Sequence, residues 1–300
     1  TAAIQAFAPE HLEFFTWIAK YYAEPLSKIL DLAVPSPSLS KPEPFLRRSA
    51  ITAEGRLGPS QRAILEKLES AGGWLSLSDL RRAVNAPAAT VRALVEKGLL
   101  VQDLRDQATC EVLPAPELQS HKDSLTSEQA SAVDLIAGHI QNPSYASFLL
   151  HGVTGSGKTE VYLELIIEAL KRGKSALVVV PEIALTPQLI DRFEKRLKHR
   201  VALLHSSLTA KERWGHWAEI LSGSLRVAVG ARSAIFAPMQ NLGVVIIDEE
   251  HDASFKQGEG IRYHARDLAL VRAKLSGCPI VLGSATPSLE TFHNAKSGKH

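Results

Sequence analysis

A chain of 300 residues with 45% hydrophobic and 22% charged side chains is long enough for about two domains with apolar cores. No apolar run approaches the ~20 residues of a membrane span, and no basic, apolar, small-residue leader opens the sequence, so no membrane contact and a cytoplasmic location are expected. The net charge of +2 leaves any nucleic-acid surface to a local patch, and two distant cysteines, Cys110 and Cys278, encode neither a disulfide framework nor a zinc cluster.

Residues 1–33 are predicted to be helical and read as the tail of a preceding element. Phe14, Phe15, Trp17, Ile18, Tyr21 and Tyr22 share a face whose partners lie partly elsewhere. Residues 34–57 open with VPSPSLSKPEP, whose prolines predict an extended linker.

Residues 58–118 read as a small α+β winged-helix domain. Helices are predicted at Ser60–Ser70, at Leu77–Val84 with Ser76 or Ser78 as cap, and at Ala88–Lys97 with Val91, Leu94 and Val95 inward. Leu99–Leu104 and Thr109–Leu113 are predicted to pair as the wing. The third helix offers only Thr90, Arg92 and Lys97 to DNA, which favours an accessory backbone contact or a positioning role over base readout.

From 119 to 300 apolar strand runs alternate with helical stretches, the pattern of a parallel α/β sheet. Leu125–Gln129 precedes the first strand and reads as a helix start capped by Thr126 or Ser127. Strands are predicted at Ser147–Leu150, Ala176–Val180, Val201–Leu204, Arg226–Val229, Val244–Ile247 and Ile280–Leu282.

After the first strand stands HGVTGSGKT, a phosphate-binding loop without mismatch, followed by a predicted helix at Glu160–Lys171. Gly152, Val153, Thr154, Gly155, Ser156 and Gly157 supply backbone N–H groups that wrap around phosphate oxygens, aided by the following helix N-terminus. Lys158 reaches the terminal phosphates, and the Thr159 hydroxyl suits the accompanying Mg²⁺. A plain glycine turn before a helix is the alternative.

LGVVIIDEEH reads as a strand buried on both faces, with acids at its C-terminal end where open α/β sheets bind ligands. Asp248 is placed to hold Mg²⁺ and Glu249 to activate water, unless the acids only cap the next helix.

Thr186 and Gln188, with Arg232 and Ser233, fall on loops at the same sheet edge and carry donors suited to DNA phosphates. Thr186 also reads as a helix start. The loop after the acids carries Phe255, Lys256, Tyr263, His264 and Arg266, and aromatics beside cations suit stacking on unpaired bases, ~1–3 kcal/mol per base. An ordinary loop with an aromatic anchor is the alternative.

The order GVTGSGKT, VPEIALTPQ, VGARSAIFAP, DEEH, GSATPS resembles the first motor lobe of superfamily-two DExH helicases. The DEEH form, the GARSAIFAP block and HDASFKQGEGIRYHARDLAL narrow this to the primosomal replication-restart helicases. The resemblance implies a RecA-like P-loop lobe, an adenine-reading role for Gln129, and a relay through His251, Ser284 and Thr286. It further implies ATP and Mg²⁺ as cofactors and 3′-to-5′ unwinding at stalled forks. Forked and single-stranded DNA, primosome proteins and single-stranded DNA-binding protein are the implied partners. Residues 1–33 would then trail a DNA-binding domain, and zinc and an arginine finger would belong to a second lobe. Another superfamily-two translocase and an ATP-gated assembly scaffold are the rivals.

Overall fold

The computed structural model describes residues 7–35, 43–49, 58–71, 73–84, 86–105, 120 and 124–299. They divide into two compact units, one made of residues 39–109 and the other of the chain on either side. In chain order the elements begin with α1 (Pro9–Tyr21) and α2 (Leu26–Ala33). The inserted unit holds β1 (Glu43–Arg48), α3 (Pro59–Ala71), β2 (Leu75–Ser76), α4 (Leu77–Ala83), α5 (Ala88–Glu96) and β3 (Leu100–Arg105). The larger unit resumes with α6 (Ser127–Gln141), β4 (Ser147–His151), α7 (Lys158–Lys171), β5 (Ser175–Val179), α8 (Pro187–Leu197) and β6 (Ala202–Leu204). It continues with α9 (Ala210–Leu221), β7 (Val227–Gly230), β8 (Leu242–Asp248), α10 (Ala265–Leu275), β9 (Ile280–Ser284) and α11 (Leu289–Lys296).

The inserted unit is α+β. Its sheet runs β2-β1-β3, with β1 antiparallel to both neighbours, and its core joins Leu46 to Ile64, Leu68, Leu80, Leu94 and Leu100. The strand β1 lies inside the stretch expected as linker: the prolines dominate the composition, while Phe45 and Leu46 carry the pairing. The expected wing strand Thr109–Leu113 falls outside the described residues.

The larger unit has the expected RecA-like α/β plan. Its six strands run in the order β4-β9-β8-β5-β7-β6, all parallel, so every C-terminal end lies on one edge. β5 and β9 are buried along their whole length, as strands covered by helices on both faces must be. One core layer gathers α6 and α7 against Ala176, Val178, Val229 and Ile246. The opposite layer contains Leu177, Val179, Ile247 and Leu282 together with Phe14, Phe15 and Ile18 of α1 and Ile29 and Ala33 of α2. The aromatic face of the N-terminal helix therefore packs against the sheet of this same unit.

A buried charge fixes that seam. Arg272 of α10 donates to the carbonyls of Ile235 and of Ala237 (2.6 Å), and its Nη2 lies 3.2 Å from His11 Nε2 on α1. Burial lowers the guanidinium to about 10, so it keeps its proton at neutral pH. Burial first and the Arg272 charge second push His11 down to about 3, leaving a neutral ring beside the cation. Trp217 of α9 adds a hydrogen bond to the Ala33 carbonyl, 3.1 Å. No helix among the described residues is long and apolar enough to cross a membrane.

Candidate nucleotide and nucleic-acid sites

The phosphate loop leaves β4 at His151 and enters α7 at Lys158. Gly155 and Gly157 have φ of 80° and 81°, the left-handed region that only glycine occupies at no cost. At Gly152 a Cβ would stand 2.6 Å from Ser156 Oγ, so a larger residue there would have to turn that hydroxyl aside. Lys158 Nζ donates to the Gly152 carbonyl at 2.9 Å and lies 3.9 Å from Glu249 Oε1. The lysine thus stands between the loop and the acids of β8. Val153, Thr154 and Ser156 are exposed along the loop, and Thr159 sits half-buried in the first turn of α7.

Gln129 reaches this loop through a helix cap. Thr126 Oγ1 accepts from Gln129 N at 3.3 Å, and Gln129 Oε1 accepts from Thr126 N at 2.9 Å, a complete capping box. Thr126 is therefore the cap and Ser127 the first helical residue. The amide nitrogen of Gln129 donates to the Ser156 carbonyl at 2.8 Å. Thr126, Gln129, His151, Gly152, Ser156 and Lys158 line one cleft of about 350 Å³.

The three acids at the end of β8 point to three environments. Asp248 Oδ1 accepts from the Tyr162 hydroxyl at 2.8 Å. Burial pushes the Asp248 carboxyl up, the tyrosine bond opposes this, and the neighbouring Glu249 charge adds to the rise. Glu249 has φ 48°, a left-handed conformation that costs a non-glycine residue about 1–2 kcal/mol. That turn carries the Glu249 carboxylate back toward Lys158 and to 3.7 Å from His251 Nδ1. Glu250 is fully buried and accepts from Ser288 N (2.6 Å), Thr291 Oγ1 (2.9 Å) and Arg266 Nη1 (3.0 Å). Burial opposes its charge, but these donors together hold its carboxyl below the usual carboxylate range.

His251, Ser284 and Thr286 meet at the ends of β8 and β9. His251 Nδ1 lies 2.8 Å from Ser284 Oγ, and Nε2 lies 3.2 Å from Thr286 Oγ1. Ser284 Oγ also accepts from Thr286 N at 3.0 Å, so one imidazole spans the end of β8 and the turn after β9.

The second cluster lies at the ends of β5, β7 and β6. Thr186 caps α8 by accepting from Leu189 N at 3.3 Å, and Gln188 and Ser233 are exposed. Arg232 donates through Nη1 to the carbonyls of Ser254 (3.0 Å) and Lys256 (2.8 Å) and so ties the turn after β7 to the loop after the acids. A cleft of about 400 Å³ here is lined by Arg232, Ser233, Arg213, Ser206, Glu182 and Gln257, among others. Within the strand order β8 adjoins both β9 and β5, so the acids stand at the junction of the two clusters.

The aromatic loop corrects one expectation. Phe255 is fully buried and Tyr263 is 3% exposed, its ring edge-on to Phe236 at 5.1 Å. Burial pushes the Tyr263 phenol up to about 12. Neither ring has a face open for stacking on a base, because each anchors the loop to the sheet layer below. Lys256 is exposed, His264 is half-buried, and Arg266 is held in the Glu250 ion pair. Sequence reasoning missed Tyr162, Glu250 and Gly283. A polar residue on the buried face of α7, a third consecutive acid, and a glycine inside an apolar strand were the available signals.

The family model for DEAD/DEAH box helicases matches residues 126–295. This chain belongs to the DEAD/DEAH box helicase family. It is similar to replication restart protein PriA of Bacillus subtilis (strain 168), with 44% identity over 250 residues, covering 82% of this chain and 31% of the relative. It is similar also to replication restart protein PriA of Chlamydia pneumoniae, with 39% identity over 310 residues, covering 96% and 40% respectively. The chain thus spans well under half the length of these relatives. A solved structure of RecG bound to a three-way DNA junction aligns over 59% of this chain and 23% of its own, at 25% identity and a TM-score of 0.42. The helicase family assignment places the phosphate loop, the acids and the His251–Ser284–Thr286 contact within the matched span.

The residues fit a magnesium ion carried by the nucleotide. Thr159 and Tyr162 lie three residues apart on α7 and so share a face, and Tyr162 touches Asp248. The Thr159 hydroxyl and the Asp248 carboxylate both offer the hard oxygens that Mg²⁺ requires.

Proposed function

We propose that the chain is the nucleotide-binding motor lobe of an ATP-dependent DNA helicase that works in replication restart. The observation that carries this is the His251 bridge, 2.8 Å to Ser284 and 3.2 Å to Thr286, set beside the phosphate loop and acids. In this reading Gly152–Gly157 amides and Lys158 bind the phosphates, and Gln129 reads the adenine edge with the donor and acceptor capacity its cap and loop bonds leave over. Thr159 and Asp248 hold Mg²⁺, which when bound neutralises phosphate charge. Glu249, aimed by its left-handed turn, orients and deprotonates water. His251 transmits the state of that pocket to the turn carrying Thr286.

Nucleic acid lies along the ends of β5, β7 and β6, contacted by Thr186, Gln188, Arg232 and Ser233, with Lys256, His264 and Arg266 beside it. Phe255 and Tyr263 serve there as anchors of the loop. The parent protein translocates 3′ to 5′, recognises stalled or abandoned forks and initiates primosome assembly in the cytoplasm, with single-stranded DNA-binding protein among its partners. These roles rest on the similarity to the replication restart proteins. The inserted α+β unit is read as a winged helix with a backbone-contacting or positioning role, and residues 1–33 as the link to a DNA-binding domain. Because an arginine finger is worth ~10³–10⁵ in rate and would come from a second lobe, this chain alone binds ATP but turns it over slowly.

The test is the ATPase activity of a protein carrying both lobes on forked DNA, plain duplex and single strand, with Lys158→Ala as control. Stimulation by forks above duplex, lost in the control, is expected. Equal stimulation by plain duplex would favour a general translocase and withdraw the restart role. Full restart activity in Glu249→Gln would favour an ATP-gated scaffold.

A further inference from the structure

Tyr162 occupies an odd place for a hydroxyl. It sits one turn into α7 beyond the phosphate loop, flanked by Val161, Leu163, Leu165 and Ile166, all buried. The ring is 2% exposed, and a phenylalanine would fill the same volume. Its hydroxyl nevertheless reaches Asp248 Oδ1 at 2.8 Å. A phenol keeps its proton at neutral pH and a carboxylate only accepts, so the hydroxyl is the donor in this bond.

The opposite wall has been cleared for this contact. Gly283 is buried in β9, between β4 and β8, in direct register with Asp248. Glycine weakens a strand interior and marks a close approach of other groups. A Cβ at 283 would fall inside contact distance of the Tyr162 hydroxyl and 3.2 Å from Asp248 Oδ1. The φ of Gly283 is not in the left-handed region, so space and not backbone conformation is what the glycine provides. A helix, the acid strand and the strand of the serine turn thus converge on one hydroxyl.

We propose, resting on the nucleotide–Mg²⁺ reading above, that Tyr162 is a positioning residue for Asp248. Its hydroxyl engages Oδ1 in the space left by Gly283 and so fixes the carboxylate with its other oxygen offered to the cation. Outer partners of this kind orient ligating carboxylates and commonly govern metal affinity. Tyr162 itself touches neither phosphate nor metal. Because Thr159 and Tyr162 ride on the same helix, one rigid element then sets both oxygens that border the cation.

The experiment titrates Mg²⁺ into the full chain with a fluorescent methylanthraniloyl-ADP and reads the Mg²⁺ concentration for half-maximal binding. Parallel measurements take nucleotide binding in EDTA and the thermal midpoint. Tyr162→Phe is expected to raise the Mg²⁺ midpoint about tenfold, with binding in EDTA unchanged. Gly283→Ala, whose Cβ would crowd both the Tyr162 hydroxyl and Asp248 Oδ1, is expected to raise the Mg²⁺ midpoint at least as far. An Mg²⁺ midpoint within about twofold of wild type in Tyr162→Phe would overturn the proposal. So would an equal loss of binding in EDTA and in Mg²⁺, which would make Tyr162 a packing residue only. If the wild-type chain bound no nucleotide in the presence of Mg²⁺, the site reading beneath the proposal would fall with it.

Discussion

Replacing Glu250 with glutamine removes one charge and changes almost no volume, which makes it a clean probe of the buried hub behind the acid strand. Four donor contacts converge on this carboxylate: Ser288 N at 2.6 Å on Oε1, and Thr291 Oγ1, Arg266 Nη1 and Ser288 Oγ at 2.9, 3.0 and 3.2 Å on Oε2. A glutamine amide offers one acceptor and one donor end. Whichever way it turns, its NH₂ faces either the Ser288 N–H or the Arg266 guanidinium. The lost charge-assisted bond is worth ~1.5–3 kcal/mol, and the orphaned donor costs ~1–3 kcal/mol more. The total sits near the ~3–5 kcal/mol typical of breaking a buried ion pair. For a lobe of this size ~2–4 °C accompanies each kcal/mol, so the Tm of Glu250→Gln is expected to fall by roughly 6–20 °C. Circular dichroism melts measure it, with the lobe transition fitted separately because a chain of two units is not a single two-state system. The folded carboxyl lies below its unfolded value, so this stability is present above the reference value of 4.5 and is lost as pH falls through the folded pKa. The gap between wild type and variant should therefore narrow on acidification below that value. A Tm within about 2 °C of wild type at pH 7 would refute the hub.

Two further substitutions test the neighbouring contacts. His251→Ala removes the bridge to Ser284 and Thr286; DNA stimulation of hydrolysis in a protein carrying both lobes should fall by ~0.5–2 kcal/mol of coupling, with nucleotide binding nearly unchanged, and ATPase titrations with DNA measure both. Thr126→Ala removes the cap of α6 that also orients Gln129; about 1 kcal/mol of stability should be lost together with weaker nucleotide binding, read by thermal melts and fluorescence titration.

The α/β unit was legible because its signals are local. An uninterrupted β-branched run such as Val244–Ile247, followed by acids, reads as a buried parallel strand, and β8 (Leu242–Asp248) is longer than that run by two residues at its start and one at its end. The phosphate loop announces itself through glycines whose conformations, φ 80° and 81°, no other residue takes freely. Residues joined across the fold were harder. Tyr162 and Gly283 acquire meaning only when α7, β8 and β9 are stacked, and Glu250 reads as one more acid until Ser288 and Arg266 surround it. Phe255 and Tyr263 were misplaced because an aromatic in a polar loop has the same pattern whether it faces solvent or anchors the loop to the core. The strand β1 hid behind prolines that neighbour it, since its partner β3 lies more than fifty residues away in sequence.

The most direct test of the motor-lobe assignment is equilibrium binding of Mg²⁺–ATP to the 300-residue chain, alongside its turnover. Saturable binding that Lys158→Ala abolishes, with hydrolysis slower by ~10³ or more than in a protein supplying the second lobe, is the expected result. Binding unaffected by Lys158→Ala would contradict the phosphate-loop site, and brisk turnover by the chain alone would contradict its dependence on a second lobe.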